Sequence, residues 1–523
     1  MSLLPSRALK TGVLMRMAAA SPADGRYLVA IVAAASCFVL LSGAARHYLG
    51  YDTETDFVGS FVPDAERLLR GDPLLSEFHP PLYSIVLALV YLITGEWLRA
   101  GLLISWISGI VALVSSFLLF KELCNRAAGW GALLALLGSG VFVRYWAEAT
   151  SDVFFLAIFM LSCLLAARAF ASGSVGLWAA CGFIIGLCLM TRTNAITLVV
   201  LAVAPFLSDG SMRAKVRSFL ALLGGMALPI AALVLYAAAT GSNLLPGGTY
   251  LNVAMTYFSE GSNRMSGDAR YEVAERFQSM RDVLLHDPIA MAKIYVYDLY
   301  KLLANGFTTL VEMPLYYAIL PGMFFLIGMH FSAAFLVLAV VVVAQIMLVN
   351  MKFFEPRLYL FLVPWLGAAI GEIARRMVGA PWPPNVQPVV VAFLVVMLLS
   401  AIGLAGAKAH SVLSRNGEAE LSEVVPLARR AIEPGAVILA RKPHVSFYTG
   451  RDGDFLPDLS SVSELNEYLR SRDPDRPLYI FYGREERLHR PQYAELAREA
   501  PPPWLETVAR SPEPGGWVLF RVP

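Results

Sequence analysis

Apolar residues in this chain come in long unbroken runs, not in the short periodic stripes of half-buried elements. Read as membrane spans, the runs predict about eleven, over residues 27–49, 98–120, 128–143, 153–170, 175–190, 195–207, 219–239, 314–329, 331–349, 359–373 and 389–405. A further run, 81–94, is apolar but short and led by Pro80 and Pro81. It reads as a helix lying along the outer interface or dipping partway into the membrane. Another short surface helix is expected over 64–70 just before it.

The polar positions between the runs set the orientation. With 81–94 left out of the count, Lys121, Arg126, Arg168, Arg213, Lys215, Arg217, Arg375 and Arg376 all fall on one side. That is the basic bias of cytoplasmic loops. Residues 1–26, carrying Arg7, Lys10, Arg16 and Arg26, form a cytoplasmic tail before a first span that is retained rather than cleaved. The outer side then holds a first loop (50–97), residues 144–151, a long loop (241–312), residues 352–357 and everything after 406. In the long loop, SNLLPGGTYLN reads as irregular, 268–285 as helical, and Tyr295, Tyr297 and Tyr300 with Lys293 and Lys301 as an interfacial approach to the next span.

Beyond residue 406 the pattern changes to charge, proline and short alternating segments. Helices over 418–431, 462–470 and 493–498 and strands over 436–440, 478–482 and 516–521 predict a small α/β domain, 407–523, outside the membrane. The fold class is thus all-α polytopic, over 27–406, with outer-face juxtamembrane helices and a C-terminal α/β domain.

Composition agrees. Of 523 residues 57% are hydrophobic and 16% charged, against about 25% charged in soluble domains; mean hydropathy is +0.59. A net charge of +2, with basic residues scattered at loop ends, argues against nucleic acid as a partner. Cys37, Cys124, Cys163, Cys181 and Cys188 lie in or beside apolar runs without metal-binding spacing and read as small buried hydrophobes. No phosphate-cradling loop, nucleophile elbow or dinucleotide turn is present, which disfavours a nucleotide-driven mechanism.

Candidate chemistry lies in the outer loops. Asp52, Glu54 and Asp56 crowd the start of the first, where a carboxylate beside Phe57, Phe61 and a membrane face is costly to charge. Asp56 there should have a raised pKa unless a cation compensates, and it is placed to take a proton from a hydroxyl; solvated loop residues or helix caps are the alternative. Glu148 and Asp152 form a second acidic group, with Ser151 or Asp152 also a fitting N-cap for the helix at 153. Together the two groups could bind a divalent ion or grip an acceptor. Arg144, Arg192, Lys352 and Arg357 are outer-side cations. They suit a phosphate or diphosphate, or snorkel to headgroups, and Glu355 could pair with Arg357. His79 is either a ligand or a hydrogen-bonded structural residue. Arg441, Lys442, His444, Tyr448 and Arg451, in ARKPHVSFYTGR, touch substrate or headgroup, or form a solvated loop.

Several of these pieces, in this order, resemble the GT-C superfamily of integral-membrane glycosyltransferases. They are Asp56-Phe57; Ala65-x-x-Leu68-Leu69-x-Gly71-Asp72-Pro73; His79-Pro80-Pro81-Leu82-Tyr83; Glu148 to Asp152; Thr191-Arg192; and Glu355-Pro356-Arg357. The nearer likeness is to bacterial members related to protein O-mannosyltransferases and to the lipid A aminoarabinose transferase. The resemblance implies a sugar carried on a polyprenyl phosphate and transferred, with inversion, outside the bacterial cytoplasmic membrane to a glycan, lipid or protein acceptor. It gives Asp56 the role of general base and Asp152, with Glu148 beside it, that of the second-loop acid. Arg192 and Arg357 then stabilise the departing phosphate. Many members carry Asp-Glu in the first loop; here Phe57 replaces the glutamate, and with it any metal or acceptor role. A transporter or lipid flippase would want ionisable residues near the bilayer midplane, whereas a non-catalytic envelope scaffold would tolerate neutral replacements in the acidic loops.

Overall fold

The structure is a computed structural model that describes residues 22–49, 54–74, 79–242, 248–259, 273–312, 315–329, 332–351, 355–415, 418–471, 476–498, 500–513 and 516–523. Asp52 and Lys352 lie outside the described residues. Each of the eleven expected spans falls on a helical element. Five of these helices are continuous and apolar enough to cross a bilayer: Trp97–Leu123, Ser151–Ser172, Met212–Thr240, Pro356–Gly379 and Gln387–Lys408. The last continues to Arg415, so the tail begins further along the chain than residue 407.

Helices pack by letting backbones touch. Trp97–Leu123 lies against Ser151–Ser172, Val175–Leu189 against Met212–Thr240, and Arg126–Leu137 against Val363–Gly379. In the last pair a Cβ on Gly131 would sit 2.1 Å from the Gly367 carbonyl oxygen. Such contact is how helices gain packing energy where lipid removes the hydrophobic drive. At the end of the bundle remote from the tail, the buried Glu372 accepts from Asn125 (2.9 Å), Arg375 (2.6 Å) and Arg376 (3.0 Å), and Arg168 pairs with Glu122 at 2.7 Å.

Two departures from the expected spans shape the other end. Residues 128–143 are not one helix: Arg126–Leu137 and Gly140–Trp146 meet at a 67° bend. Ser139 restarts the second helix, its Oγ accepting from the Phe142 N–H at 3.4 Å, so Arg144, Tyr145 and Glu148 turn in over the bundle. Similarly, 195–207 is largely a 3-10 helix, Thr193–Val203. The short run after Pro81 is a single helix, Leu82–Thr94, ended by Gly95 in the left-handed region. The surface helix before it is Val62–Arg70. The long loop is less irregular than expected: Thr249–Phe258 is helical, followed by Met280–His286 and Pro288–Lys301.

The tail forms a five-stranded sheet of order β2-β1-β3-β5-β4, with β1 Val437–Ala440, β2 Asp452–Phe455, β3 Leu478–Tyr482, β4 Glu506–Arg510 and β5 Val518–Val522. β1 runs parallel to β2 and β3, and β5 antiparallel to β3 and β4. Alternation sends Leu439, Ile480, Tyr482 and Phe520 to one face, against helix Val462–Arg470. Ile438, Tyr479, Phe481 and Leu519 go to the other. That second core has no boundary with the membrane part: Phe57, Val58, Phe61 and Tyr83 belong to the same cluster as Val424, Val425, Val445 and Trp517.

Candidate active site

The first loop enters the bundle through a π-helix, Phe57–Phe61, whose Phe57, Val58 and Phe61 are buried. Gly101 makes room for it: a Cβ there would stand 2.6 Å from the Phe57 ring and 2.6 Å from the Ala149 methyl. On its other side Phe57 meets Phe447 of the tail edge-on, ring centroids 6.4 Å apart. Anchored on both sides, Phe57 fixes the backbone of Asp56 before it. Gly101→Val is therefore expected to displace Asp56 and to cost about 1–3 kcal/mol through overpacking, seen as a lowered thermal midpoint of the purified protein.

Three further segments reach the same place. The Leu82 N–H donates to the Met190 carbonyl at 2.8 Å, tying His79-Pro80-Pro81 to the turn that carries Arg192. Thr150, not Ser151 or Asp152, caps helix Ser151–Ser172. Its hydroxyl accepts from the Asp152 N–H at 3.2 Å and donates to the Asp152 carboxylate at 2.8 Å. Arg357 begins the 3-10 helix Pro356–Leu362.

Arg357 is the hub. Its Nη1 donates to Glu54 at 2.5 Å and lies 3.7 Å from Asp152, and its Nη2 lies 3.9 Å from Asp56. Asp152, with a side chain only 1% exposed, stands between two guanidiniums, its other oxygen 2.7 Å from Arg192. Glu355 is a looser neighbour of Arg357 at 3.9 Å. His79 stands 3.8 Å from Asp56 and packs on Phe61, ring centroids 4.8 Å apart. Arg144 pairs with Glu148 at 3.0 Å. Tyr145 lies under both Arg144 and Arg357, 5.1 and 5.8 Å from ring centroid to guanidinium carbon. The Nε–H groups of Arg192 and Arg357 are buried without a hydrogen-bond partner.

The charges settle unevenly. Burial and the adjacent Asp56 charge push Glu54 up to about 8, against the pull of Arg357. For Asp56 the compensating cation is present: burial pushes its carboxyl up, but His79 and Arg357 outweigh burial and hold it below the usual carboxylate range. Its side chain keeps an open face, 41% exposed, so the crowding does not seal it off.

The two acidic groups do converge, but on a guanidinium. Among the described residues no three His, Cys, Asp or Glu side chains are grouped to hold a metal ion. Arg357 stands between the two acidic groups, bonded to Glu54 and 3.7 Å from Asp152.

The tail closes the site from above, which the linear sequence does not foretell. The stretch ARKPHVSFYTGR, read as touching substrate or headgroup or as a solvated loop, contains a helix, His444–Thr449, with His444 and Tyr448 buried. Arg451 serves structure, donating to the Ile432 carbonyl at 2.7 Å. Glu54, Arg144, Tyr145 and Arg357 below, and Lys442 and His444 above, enclose a cavity of about 400 Å³.

Comparison with known proteins places this architecture. Over 96% of its length the chain superposes on 99% of the crystal structure of ArnT from Cupriavidus metallidurans in the apo state, with a TM-score of 0.61 at 15% identity. The chain has the GT-C fold. ArnT from the same organism bound to undecaprenyl phosphate superposes with a TM-score of 0.55 at 14% identity, covering 95% of this chain and 98% of that one. The family model for dolichyl-phosphate-mannose-protein mannosyltransferases matches residues 78–237. That stretch of the GT-C chain includes His79, Arg144, Glu148, Asp152 and Arg192. A search of curated protein sequences finds no match.

Proposed function

We propose that this GT-C chain is an inverting membrane glycosyltransferase that moves a sugar from a polyprenyl-phosphate-linked donor to an acceptor hydroxyl. The observation that carries this reading is the convergence of Asp56 with two arginines that each keep a buried, unengaged Nε–H. Undecaprenyl phosphate bound to ArnT supports a polyprenyl phosphate as the donor's carrier here. The residues then divide the work. An acceptor oxygen attacks the anomeric carbon as the bond from that carbon to the phosphate oxygen breaks. The acceptor proton passes to Asp56, and the polyprenyl phosphate leaves with the electron pair and a second negative charge, which Arg192 and Arg357 stabilise. Arg144, and Lys352 from the sequence, are secondary phosphate candidates; Glu148 and His79 orient Arg144 and Asp56. Donor phosphate drawn onto Arg357 weakens its hold on Asp56, so the base strengthens when it is needed.

The basic residues at the opposite end of the bundle support a cytoplasmic N-terminal tail, with the site and the α/β domain on the periplasmic side of a bacterial inner membrane. In the purified protein, release of labelled polyprenyl phosphate coupled to glycosylation of an envelope extract tests the proposal. Binding without turnover would sink it.

Glu54 adds a pH signature. Folded, it keeps its proton up to about pH 8; unfolded, it loses it near 4.5. The folded state therefore binds the extra proton in that window, and this contribution to stability is lost as pH rises through about 8. Glu54→Gln mimics the protonated acid and still accepts from Arg357. Thermal midpoints of the variant are expected to fall less than wild type between pH 6 and 9 (roughly the range set by this titration). Parallel curves would rule out a proton on Glu54.

A further inference from the structure

We infer that Gln345 is a positioning residue: through the Thr197 hydroxyl it holds the 3-10 helix that follows Arg192, and so keeps the Arg192 guanidinium on Asp152. The inference rests on the transferase reading only in giving Arg192 the donor phosphate as its ligand.

Gln345 is the single polar residue of helix Ala333–Val349, and it is fully buried. Its Oε1 accepts from the Thr197 hydroxyl at 2.5 Å, while its Nε2 has no hydrogen-bond partner among the described residues. An amide buried in an apolar bundle with its donors unused lowers stability. Leucine, similar in volume, would fill the place without that penalty. What the glutamine adds is one bond to one hydroxyl on a neighbouring element.

That element needs a hold. Thr193–Val203 runs as a 3-10 helix for 11 residues, although 3-10 runs longer than about four residues are uncommon, since their hydrogen bonds align poorly and side chains three apart eclipse. TNAITLVVLAV contains no proline or glycine that would bar an α-helix. Packing against Ala333–Val349, not local sequence, therefore keeps the longer rise, and the Gln345 bond fixes it at Thr197.

Arg192 is the joint. It caps the 3-10 helix in extended backbone, φ −148° and ψ 138°. Its N–H donates back to the Cys188 carbonyl at 3.0 Å, and its own carbonyl accepts from Ala195 at 3.1 Å. From there the guanidinium reaches Asp152 at 2.7 Å and the Ser151 hydroxyl at 3.2 Å. The α form is shorter by about 0.5 Å per residue, so relaxation between Arg192 and Thr197 would draw the chain in by about 2 Å. Taken up at the joint, that shift breaks both side-chain contacts.

The test uses the full-length protein in nanodiscs and two variants of nearly unchanged volume, Gln345→Leu and Thr197→Val. Measured are the thermal midpoint, the affinity for undecaprenyl phosphate, and modification of Arg192 by phenylglyoxal, read by peptide mass spectrometry. Arg168, paired with Glu122 at the other end of the bundle, is the internal reference. Gln345→Leu is expected to melt at or above the wild-type temperature, because Thr197 can turn to the Asn194 carbonyl, 3.2 Å away. Thr197→Val is expected to melt lower, because it leaves the amide wholly unpaired. Both should label Arg192 several-fold faster and weaken the lipid about tenfold or more, the effect of losing a charge-assisted hydrogen bond. Placed on Arg192→Ala, neither should weaken the lipid further, since the route through Arg192 is gone. Should Gln345→Leu not fold, Thr197→Val carries the same comparison. Unchanged labelling of Arg192, or a loss of lipid affinity that persists on Arg192→Ala, overturns the inference and leaves Gln345 a packing residue. If wild type fails to bind undecaprenyl phosphate, the donor reading falls, and the labelling of Arg192 alone decides the positioning role.

Discussion

Asp56→Asn is expected to leave the protein folded and to lower transfer by about 10²–10⁴-fold. The amide keeps the size of the side chain but cannot take up the acceptor's proton. Folding should survive because Asp56 contacts its partners loosely, 3.8 Å from His79 and 3.9 Å from Arg357, and Phe57, not Asp56, anchors the segment. Undecaprenyl phosphate should still bind, and with Asp56 neutralised it should bind slightly better, since one competitor for Arg357 is gone. Turnover at the wild-type rate in the variant would remove Asp56 from the mechanism.

Arg357→Ala is expected to fail differently, in stability as well as rate. The guanidinium is shared by Glu54, Asp56 and Asp152, which come from two separate segments of the chain. Removing it leaves the buried Asp152 with Arg192 alone. Loss of one partner from a buried ion pair costs about 3–5 kcal/mol, and loss of one charge-stabilising donor about 10²–10³-fold in rate. Adding Glu54→Gln should restore neither the thermal midpoint nor the transfer, because below about pH 8 Glu54 already carries its proton and is neutral. If the double variant regains activity, Arg357 serves only to neutralise Glu54. Arg357→Lys separates point charge from fork geometry: one ammonium cannot stand both where Nη1 meets Glu54 and Asp152 and where Nη2 faces Asp56.

Much of this arrangement was legible along the chain. Apolar runs are a one-dimensional signal, since lipid contact asks only for length and hydropathy, and each predicted span is helical. Short amphipathic segments of the tail were equally readable: helices Glu418–Ala431 and Val462–Arg470 and strand Leu478–Tyr482 fall where their patterns put them. Strands Asp452–Phe455 and Glu506–Arg510 were not. Their sequences, DGDF and ETVAR, have little apolar content, and as the two edges of the sheet they exist through backbone pairing with a neighbour. The bend at Ser139 was hidden in an apolar stretch because a capping serine inside a span carries no hydropathy signal.

For the site, the candidate residues were visible in the sequence, because charges misplaced among apolar runs are costly and need a reason to be there. Their partners did not. That Asp152 sits between Arg192 and Arg357, that Arg357 also reaches Glu54 and Asp56, and that Glu54 holds a raised pKa all depend on distances of a few ångströms between segments far apart in the chain. The roof over the cavity is the clearest case. Lys442 and His444, which the sequence leaves as substrate or headgroup contacts or a solvated loop, join Glu485 in a wall of the cavity because the tail's second face shares one core with the first loop. Hydropathy and charge order determined what this protein is built from; packing alone decided which charges meet.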